Sequence, residues 1–169
     1  MRFSCACGDY SLTIRVNRTL GIQMNCVVVS SAAPGHLRRL HEWFVAEWGN
    51  EHFFDLTGST ELGPLVAIAD IELLGGLAFA SFQAPGAESV GLWINVLFVA
   101  PKHRQKGVAS QLIRAAEVEA IRLGERELYA LTDIPELYER LDWCRIQSDS
   151  AGTVVGKTFV KPVRSGRFS

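Results

Sequence analysis

Hydrophobic and polar positions along the chain follow two spacings, one typical of strands and one typical of helices. The stretch V-G-L-W-I-N-V-L-F-V-A at 90–100 is apolar at both odd and even positions, and Asn95 is its only polar side chain. That pattern predicts a central strand covered on both faces. Shorter apolar or β-branched runs predict further strands at 25–30, on either side of Asp-Ile-Glu 70–72, and at 126–132, 143–147 and 153–160.

Apolar residues at helical spacing predict two long helices and one short one. The first opens near Ser30 to Pro34 and stops at Gly49; it carries Leu37, Leu40, His41, Phe44, Val45 and Trp48. The second covers Lys106 to Leu123 and ends at Gly124; its apolar arc is Ala109, Leu112, Ile113, Ala116, Ala120 and Leu123. The short helix begins near Pro135, and residues 51–58 are predicted as a loop or another short helix.

This order of elements predicts an α/β or α+β fold with a mixed sheet. Residues 1–23 carry the weakest pattern, so we expect an N-terminal extension of unclear role, either an extra strand or a loose segment. Met24 is a candidate for the biological start. The recognisable domain is expected to cover residues 24–163.

Composition narrows the class of protein. A chain of 169 residues fits one domain and can bury about 70% of its unfolded surface. A net charge of −1 gives no basic excess, so nucleic acid is not an expected partner. The longest apolar stretch, at 73–82, is too short to span a membrane.

The chain begins without the apolar run of a signal peptide, so we expect a cytoplasmic protein. Its cysteines are expected to be reduced, and their one C-x-C pair lacks the second pair that a zinc site needs; they are Cys5, Cys7, Cys26 and Cys144. No metal site is therefore expected.

Residues 100–110, A-P-K-H-R-Q-K-G-V-A-S, place four potential cations just ahead of the second helix. The free N–H groups and the dipole at a helix start favour an anion, and Gly107 lets the backbone approach a bulky oxyanion. A pyrophosphate fits this chemistry. The alternative is that the cations merely solvate a loop. Rossmann and Walker phosphate loops are excluded, since G-x-G-x-x-G is absent and Ala151 stands where a Walker glycine would precede Gly156-Lys157-Thr158.

The same stretch resembles the acyl-coenzyme-A motif of the GNAT superfamily of N-acetyltransferases, (Q/R)-x-x-G-x-(G/A) after a strand ending in apolar-x-Val-x-Pro. Arg104, Gly107 and Ala109 fill its three defining places. L-Y-E-R-L-D-W at 137–143 is similar to the family's L-Y-x-x-x-G-(F/W). The order of elements also agrees with the family from about residue 24 to residue 160.

The resemblance implies a mixed, mostly antiparallel sheet flanked by helices, with a V-shaped opening at the central strand. The backbone of Leu97 and Val99 would bind the pantetheine arm of acetyl-CoA. Loop amides would hold the pyrophosphate; they belong to Gln105, Lys106, Gly107, Val108, Ala109 and Ser110. An amine would attack the thioester directly, with the N–H near Leu97 polarising the carbonyl and Tyr138 returning a proton to the thiolate.

Two departures from the family pattern bear on Tyr138. Asp142 stands where the family has glycine, although Asp tolerates a left-handed conformation better than most residues. The segment from Thr132 to Tyr138 is also about one residue short. These departures keep a rival function open: a non-catalytic acyl-CoA-binding or interaction module on the same fold.

The general base and the acceptor are also open. The central strand has no carboxylate; the candidates elsewhere are Glu72, Glu88 and Asp133, or a water held by Asn95. Trp93 and Asn95 are predicted to alternate onto one face and line the acceptor pocket, with core packing as the alternative. Cys144 is disfavoured as a nucleophile because it lies in a strand with no histidine after it. The acceptor could be a small amine, an aminoglycoside-like drug, an amino acid, or a protein N-terminus or lysine, and the protein a monomer or homodimer.

Overall fold

The computed structural model of the protein describes residues 27–29, 34–49, 62–146 and 152–159. Predictions for residues 1–23 and 51–58 lie outside these ranges. The strands are β1 Val27–Val29, β2 Leu65–Ala69, β3 Glu72–Gln83, β4 Val90–Val99, β5 Glu127–Thr132, β6 Cys144–Ile146 and β7 Thr153–Thr158. The helices are α1 Pro34–Trp48, α2 Val108–Leu123 and α3 Pro135–Glu139.

The described strands form one sheet in the order β1-β2-β3-β4-β5-β7-β6. Every neighbouring pair is antiparallel except β4 and β5, which run parallel. The predicted mixed, mostly antiparallel sheet is therefore confirmed. The parallel pairing joins only Leu92–Ile94 to Leu128–Ala130. Beyond it the two strands separate, which creates the V-shaped opening beside the central strand.

Apolar clusters cover both faces of β4, and a β-bulge at Asn95 shifts its side-chain alternation by one. Val96 pairs with Ala78 and Ile94 pairs with Phe79, so Asn95 has no opposite residue on β3. Before the bulge, Leu92 and Ile94 pack in the cluster around α2; after it, that cluster contains Val99 and touches Leu97. Val96 and Phe98 then pack with α1 on the other face. An extra residue of this kind shifts the side-chain alternation by one.

The two helices cover opposite faces of the sheet. Leu112, Ile113 and Ala116 of α2 are fully buried against β2 to β5, β7 and α3. On the other face, Leu40 and Phe44 of α1 are fully buried against β2 to β4. Gly76 makes this close approach possible, because a Cβ there would lie 2.4 Å from Cδ2 of Leu40.

Short turns connect the elements close to where the sequence predicts them. Asp70, with φ of 54°, and Ile71, which is 90% exposed, make the β2–β3 turn, while Glu72 already belongs to β3. The α2 helix begins at Val108, two residues later than predicted, because Gly107 has φ of 80° and stands outside it. It ends as predicted at Gly124, with φ of 83°. None of the described helices is long and apolar enough to cross a membrane.

Candidate functional site

The opening between β4 and β5 exposes strand backbone in the middle of the sheet. After Ile94, β4 continues to Val99 with no described pairing to β5. Leu97 and Val99 lie on this unpaired stretch, and their side chains pack toward α2. N–H and C=O groups along that edge can therefore pair with an extended ligand as if it were another strand.

The loop that follows β4 ends in an uncapped helix start. Gln105 has φ of 60° and Gly107 has φ of 80°, so two of its residues are left-handed. No side chain caps α2, and its first internal bond runs from the Gln111 N–H to the Gly107 carbonyl, at 3.1 Å. The N–H groups of the first turn therefore have no partner inside the helix. Together with the left-handed loop they form a concave set of donors suited to an anion.

The four potential cations of this stretch divide into two pairs. Lys102 forms an ion pair with Glu72, and Nε2 of the buried His103 lies 3.4 Å from the same carboxylate. The hydrogen bond from Lys102, followed by the interaction with the nearby His103 ring, lowers the pKa of Glu72. Glu72 is thus an ion-paired carboxylate and a poor candidate for the general base.

The other two cations, Arg104 and Lys106, lie on the loop between β4 and α2. The Nε–H of Arg104 donates to the Val99 carbonyl at 3.0 Å, and its guanidinium carbon lies 5.6 Å from the centre of the Phe98 ring. These contacts fix Arg104 at the end of β4, between the strand opening and the helix start. Lys106 is exposed on the loop.

Tyr138 lies inside the core. Its side chain is only 4% exposed, and its ring meets Trp143 edge-on at 5.0 Å between centroids. Burial raises the pKa of the Tyr138 phenol above its ordinary value. Asp142 after it has φ of 65°, which confirms that Asp accepts the left-handed turn where the family has glycine.

A polar network that sequence reasoning missed supports the chain around Tyr138. The indole N–H of Trp143 donates to Glu117 at 2.7 Å, and Nζ of Lys157 lies 3.3 Å from the same carboxylate oxygen. Lys157 also donates to the Leu141 carbonyl at 2.6 Å. The backbone N–H groups of Leu141 and Trp143 in turn donate to the Tyr138 carbonyl. The network joins α2, β7 and the turn after α3, so no local motif could reveal it.

Trp93 and Asn95 lie on β4 where alternation is interrupted. Because Asn95 is the bulged residue, strand periodicity alone does not place the two side chains on one face as predicted. The Trp93 ring packs on Tyr129, with centroids 5.2 Å apart, and its indole nitrogen is buried without a described hydrogen-bond partner. It also lines a cleft of about 490 Å³ together with Val154 and the β3–β4 hairpin.

The remaining candidates are all exposed. Glu88 is exposed on the hairpin, and Asp133 is exposed directly after β5. Cys144 is a free, exposed cysteine on β6. Across the described ranges, no three metal-ligating side chains come together.

Comparison with known families gives one match. The model of the acetyltransferase (GNAT) family matches residues 35–143, which is more than half of the chain. No curated protein matches the sequence.

Solved structures share the fold at low sequence identity. Naa50 of Arabidopsis thaliana, in complex with a bisubstrate analogue, is 15% identical with a TM-score of 0.59, over 80% of this chain and 100% of that one. NAA60 of the same plant is 16% identical with a TM-score of 0.62, over 79% and 97%. N-acetylglutamate synthase of Neisseria gonorrhoeae, complexed with coenzyme A and N-acetyl-glutamate, is 16% identical with a TM-score of 0.62, over 83% and 36%.

Proposed function

The chain belongs to the GNAT family of acetyl-CoA-dependent acetyltransferases, and we propose that it transfers the acetyl group to a primary amine by direct attack in a ternary complex. The observation that supports this most is the adjacency of two features. An unpaired strand edge on β4 leads within a few residues into an uncapped helix start with two left-handed loop residues. A strand edge suits the amide-bearing pantetheine arm, and the helix start suits the pyrophosphate.

The residues divide the binding task between them. The backbone of Leu97 and Val99 is assigned to pantetheine, and the amides of the loop and first helical turn, from Gln105 to Ser110, to the pyrophosphate. Arg104 and Lys106 supply positive charge, since Lys102 and His103 are directed to Glu72.

In the reaction, the thioester supplies an activated acetyl group. The N–H near Leu97 polarises the carbonyl as the neutral amine attacks; a C–N bond forms and the C–S bond breaks. Tyr138 donates its proton to the departing thiolate and regains one from solvent. The amine loses its proton to water, for which the Asn95 amide at the bulge and nearby carbonyls are the proposed holders.

The proposal is tested by amine-dependent thiol release from acetyl-CoA. We expect free thiol and acetylated amine in equal amounts, the latter identified by mass spectrometry. The rival, a non-catalytic module, predicts coenzyme A binding with no amine-dependent thiol. The left-handed turn at Asp142 favours catalysis over the rival, because it shows that the missing glycine does not prevent a left-handed residue at this position.

Lys157 is proposed to position Tyr138 through the Leu141 carbonyl and Glu117. Lys157→Met should lower kcat by about 10-fold, because small displacements of a reacting group are costly, and leave coenzyme A affinity unchanged. In a Tyr138→Phe background the same change should have little further effect on kcat, since residues that act as a unit are not additive.

Arg145→Met is the matched control for Lys157→Met. Arg145 is another cation that pairs with this region, through Glu136 and Glu139 of α3, but at the exposed surface. We expect a change in kcat of less than about twofold, because exposed ion pairs contribute little. Equal losses from Lys157→Met with and without the Tyr138 hydroxyl would show a purely structural role.

A further inference from the structure

The sheet face opposite α2 carries an unusual surface where β4 and β5 separate. Leu128 and Ala130 of β5 pack in the α2 cluster, so the alternating Tyr129 and Leu131 point to the other face. Leu131 follows the last β5 residue that pairs with β4, just as Asn95 follows the last β4 residue that pairs with β5. Leu131 and Asn95 therefore flank the mouth of the opening.

The β5 side of this mouth carries exposed apolar side chains. Leu131 is 52% exposed, and Ile134, just beyond β5, is 51% exposed. On the neighbouring strand β7, Val154 pairs with Leu131 and is buried on the same face. Two residues earlier along β4 and β5, the packed rings of Trp93 and Tyr129, tilted by 38°, continue the apolar surface.

The same face offers no positive charge along these strands. Within the described bounds of β4, β5 and β7, Lys157 is the one Lys or Arg, and its ammonium is directed to Glu117 and the Leu141 carbonyl on the α2 side. Carboxylates lie near both ends of this surface, and Asp133 is exposed directly after β5. Glu127 accepts a 2.5 Å hydrogen bond from the Tyr129 hydroxyl, and Glu88 lines the hairpin cleft beside Trp93.

Resting on the proposed function, we infer that the acceptor is a primary amine whose neighbouring group is apolar and carries no carboxylate, bound with that group over Leu131 and the Trp93–Tyr129 rings. Transfer of apolar surface from water to these side chains is favourable. A carboxylate beside the amine would lose its hydration on this face without gaining a cation from β4, β5 or β7. Free amino acids are therefore poor acceptors, whereas alkylamines, arylalkylamines and N-termini with apolar side chains share the required chemistry.

Pairs of acceptors that differ mainly in one carboxylate show how that group affects kcat/KM. We expect kcat/KM for 2-phenylethylamine and for L-phenylalaninamide to exceed that for L-phenylalanine by about 10-fold or more. Hexylamine should exceed 6-aminohexanoate in the same way, and kcat/KM should rise about 2- to 4-fold per methylene from butylamine to hexylamine. Comparing kcat/KM for the peptide amide Phe-Gly-Gly-NH₂ with that for 2-phenylethylamine shows whether the acceptor is a peptide N-terminus or a small amine.

Leu131→Arg tests the surface itself. The new cation should raise KM for 2-phenylethylamine about 10-fold. It should also lower the ratio of kcat/KM for 2-phenylethylamine to kcat/KM for L-phenylalanine, while coenzyme A affinity stays unchanged. Ile121→Arg is the matched control, because Ile121 is 54% exposed on α2, and it should leave the acceptor preference as in wild type.

A binding experiment tests this inference independently of catalysis. The product amide N-(2-phenylethyl)acetamide is titrated calorimetrically in the presence of coenzyme A. If it binds wild type but not Leu131→Arg while no amine releases thiol, the apolar site stands and the proposed catalysis fails. A higher kcat/KM for L-phenylalanine, glutamate or 6-aminohexanoate than for the amines without a carboxylate would overturn the inference and leave the proposed catalysis intact. Absence of both binding and turnover would overturn both.

Discussion

Gly107→Glu is expected to weaken coenzyme A binding by roughly 100-fold, because a carboxylate about 5 Å from the pyrophosphate costs about 3 kcal/mol at an effective dielectric constant of about 20. The side chain has room to enter this position, since a Cβ at Gly107 meets nothing within 4 Å. The mutation therefore adds negative charge at the uncapped helix start without disturbing packing.

Backbone strain is the competing explanation, because Gly107 has φ of 80°. The other end of the same helix provides the control: Gly124 has φ of 83° and equally open space around its Cβ. Gly124→Glu should melt at a temperature similar to that of Gly107→Glu, yet bind coenzyme A within about twofold of wild type, as expected for a charge far from the site. Gly107→Ala shows the effect of strain alone. Unchanged affinity in a folded Gly107→Glu protein would remove the pyrophosphate from this loop.

The parts of the site that the sequence predicts are those built from neighbouring residues. The loop, the helix start and the glycine at its end follow from local rules of capping and left-handed turns, and all three lie within 104–124. Even the two-residue error at the start of α2 is local, since Gly107 takes a left-handed conformation where a longer helix was expected.

The features that sequence reasoning missed depend on contacts between distant residues. The direction of Lys102 and His103 is set by Glu72, 30 residues away from Lys102. Glu117 and Lys157 meet across the core because α2 and β7 pack together. The bulge at Asn95 arises from the pairing with β3, and nothing in V-G-L-W-I-N-V-L marks which residue is extra. Hydrophobic pattern alone cannot specify such pairings.

The burial of Tyr138 sharpens its proposed role as the acid. The raised pKa keeps the phenol protonated at neutral pH and beyond its reference value of about 10. A departing thiolate has a reference pKa near 8.5 and needs a proton that is present at working pH. The folded-state pKa lies above the reference value, so Tyr138 should lose its proton only above about pH 10. Tyr138 should therefore cause no decline in kcat between pH 7 and 10.

Tyr138→Phe is therefore expected to lower kcat by roughly 100-fold or more, the usual scale for a positioned acid. The ring and its edge-on contact with Trp143 remain, so coenzyme A affinity and melting temperature should change little. No described hydrogen bond from the hydroxyl is lost, which removes the usual stability cost of a Tyr→Phe change. Single-turnover kinetics, in which chemistry limits the rate, give the decisive measurement across pH 7 to 10. A wild-type rate in the mutant would assign the proton to water, whereas a loss confined to one part of that range would point to a different titrating group.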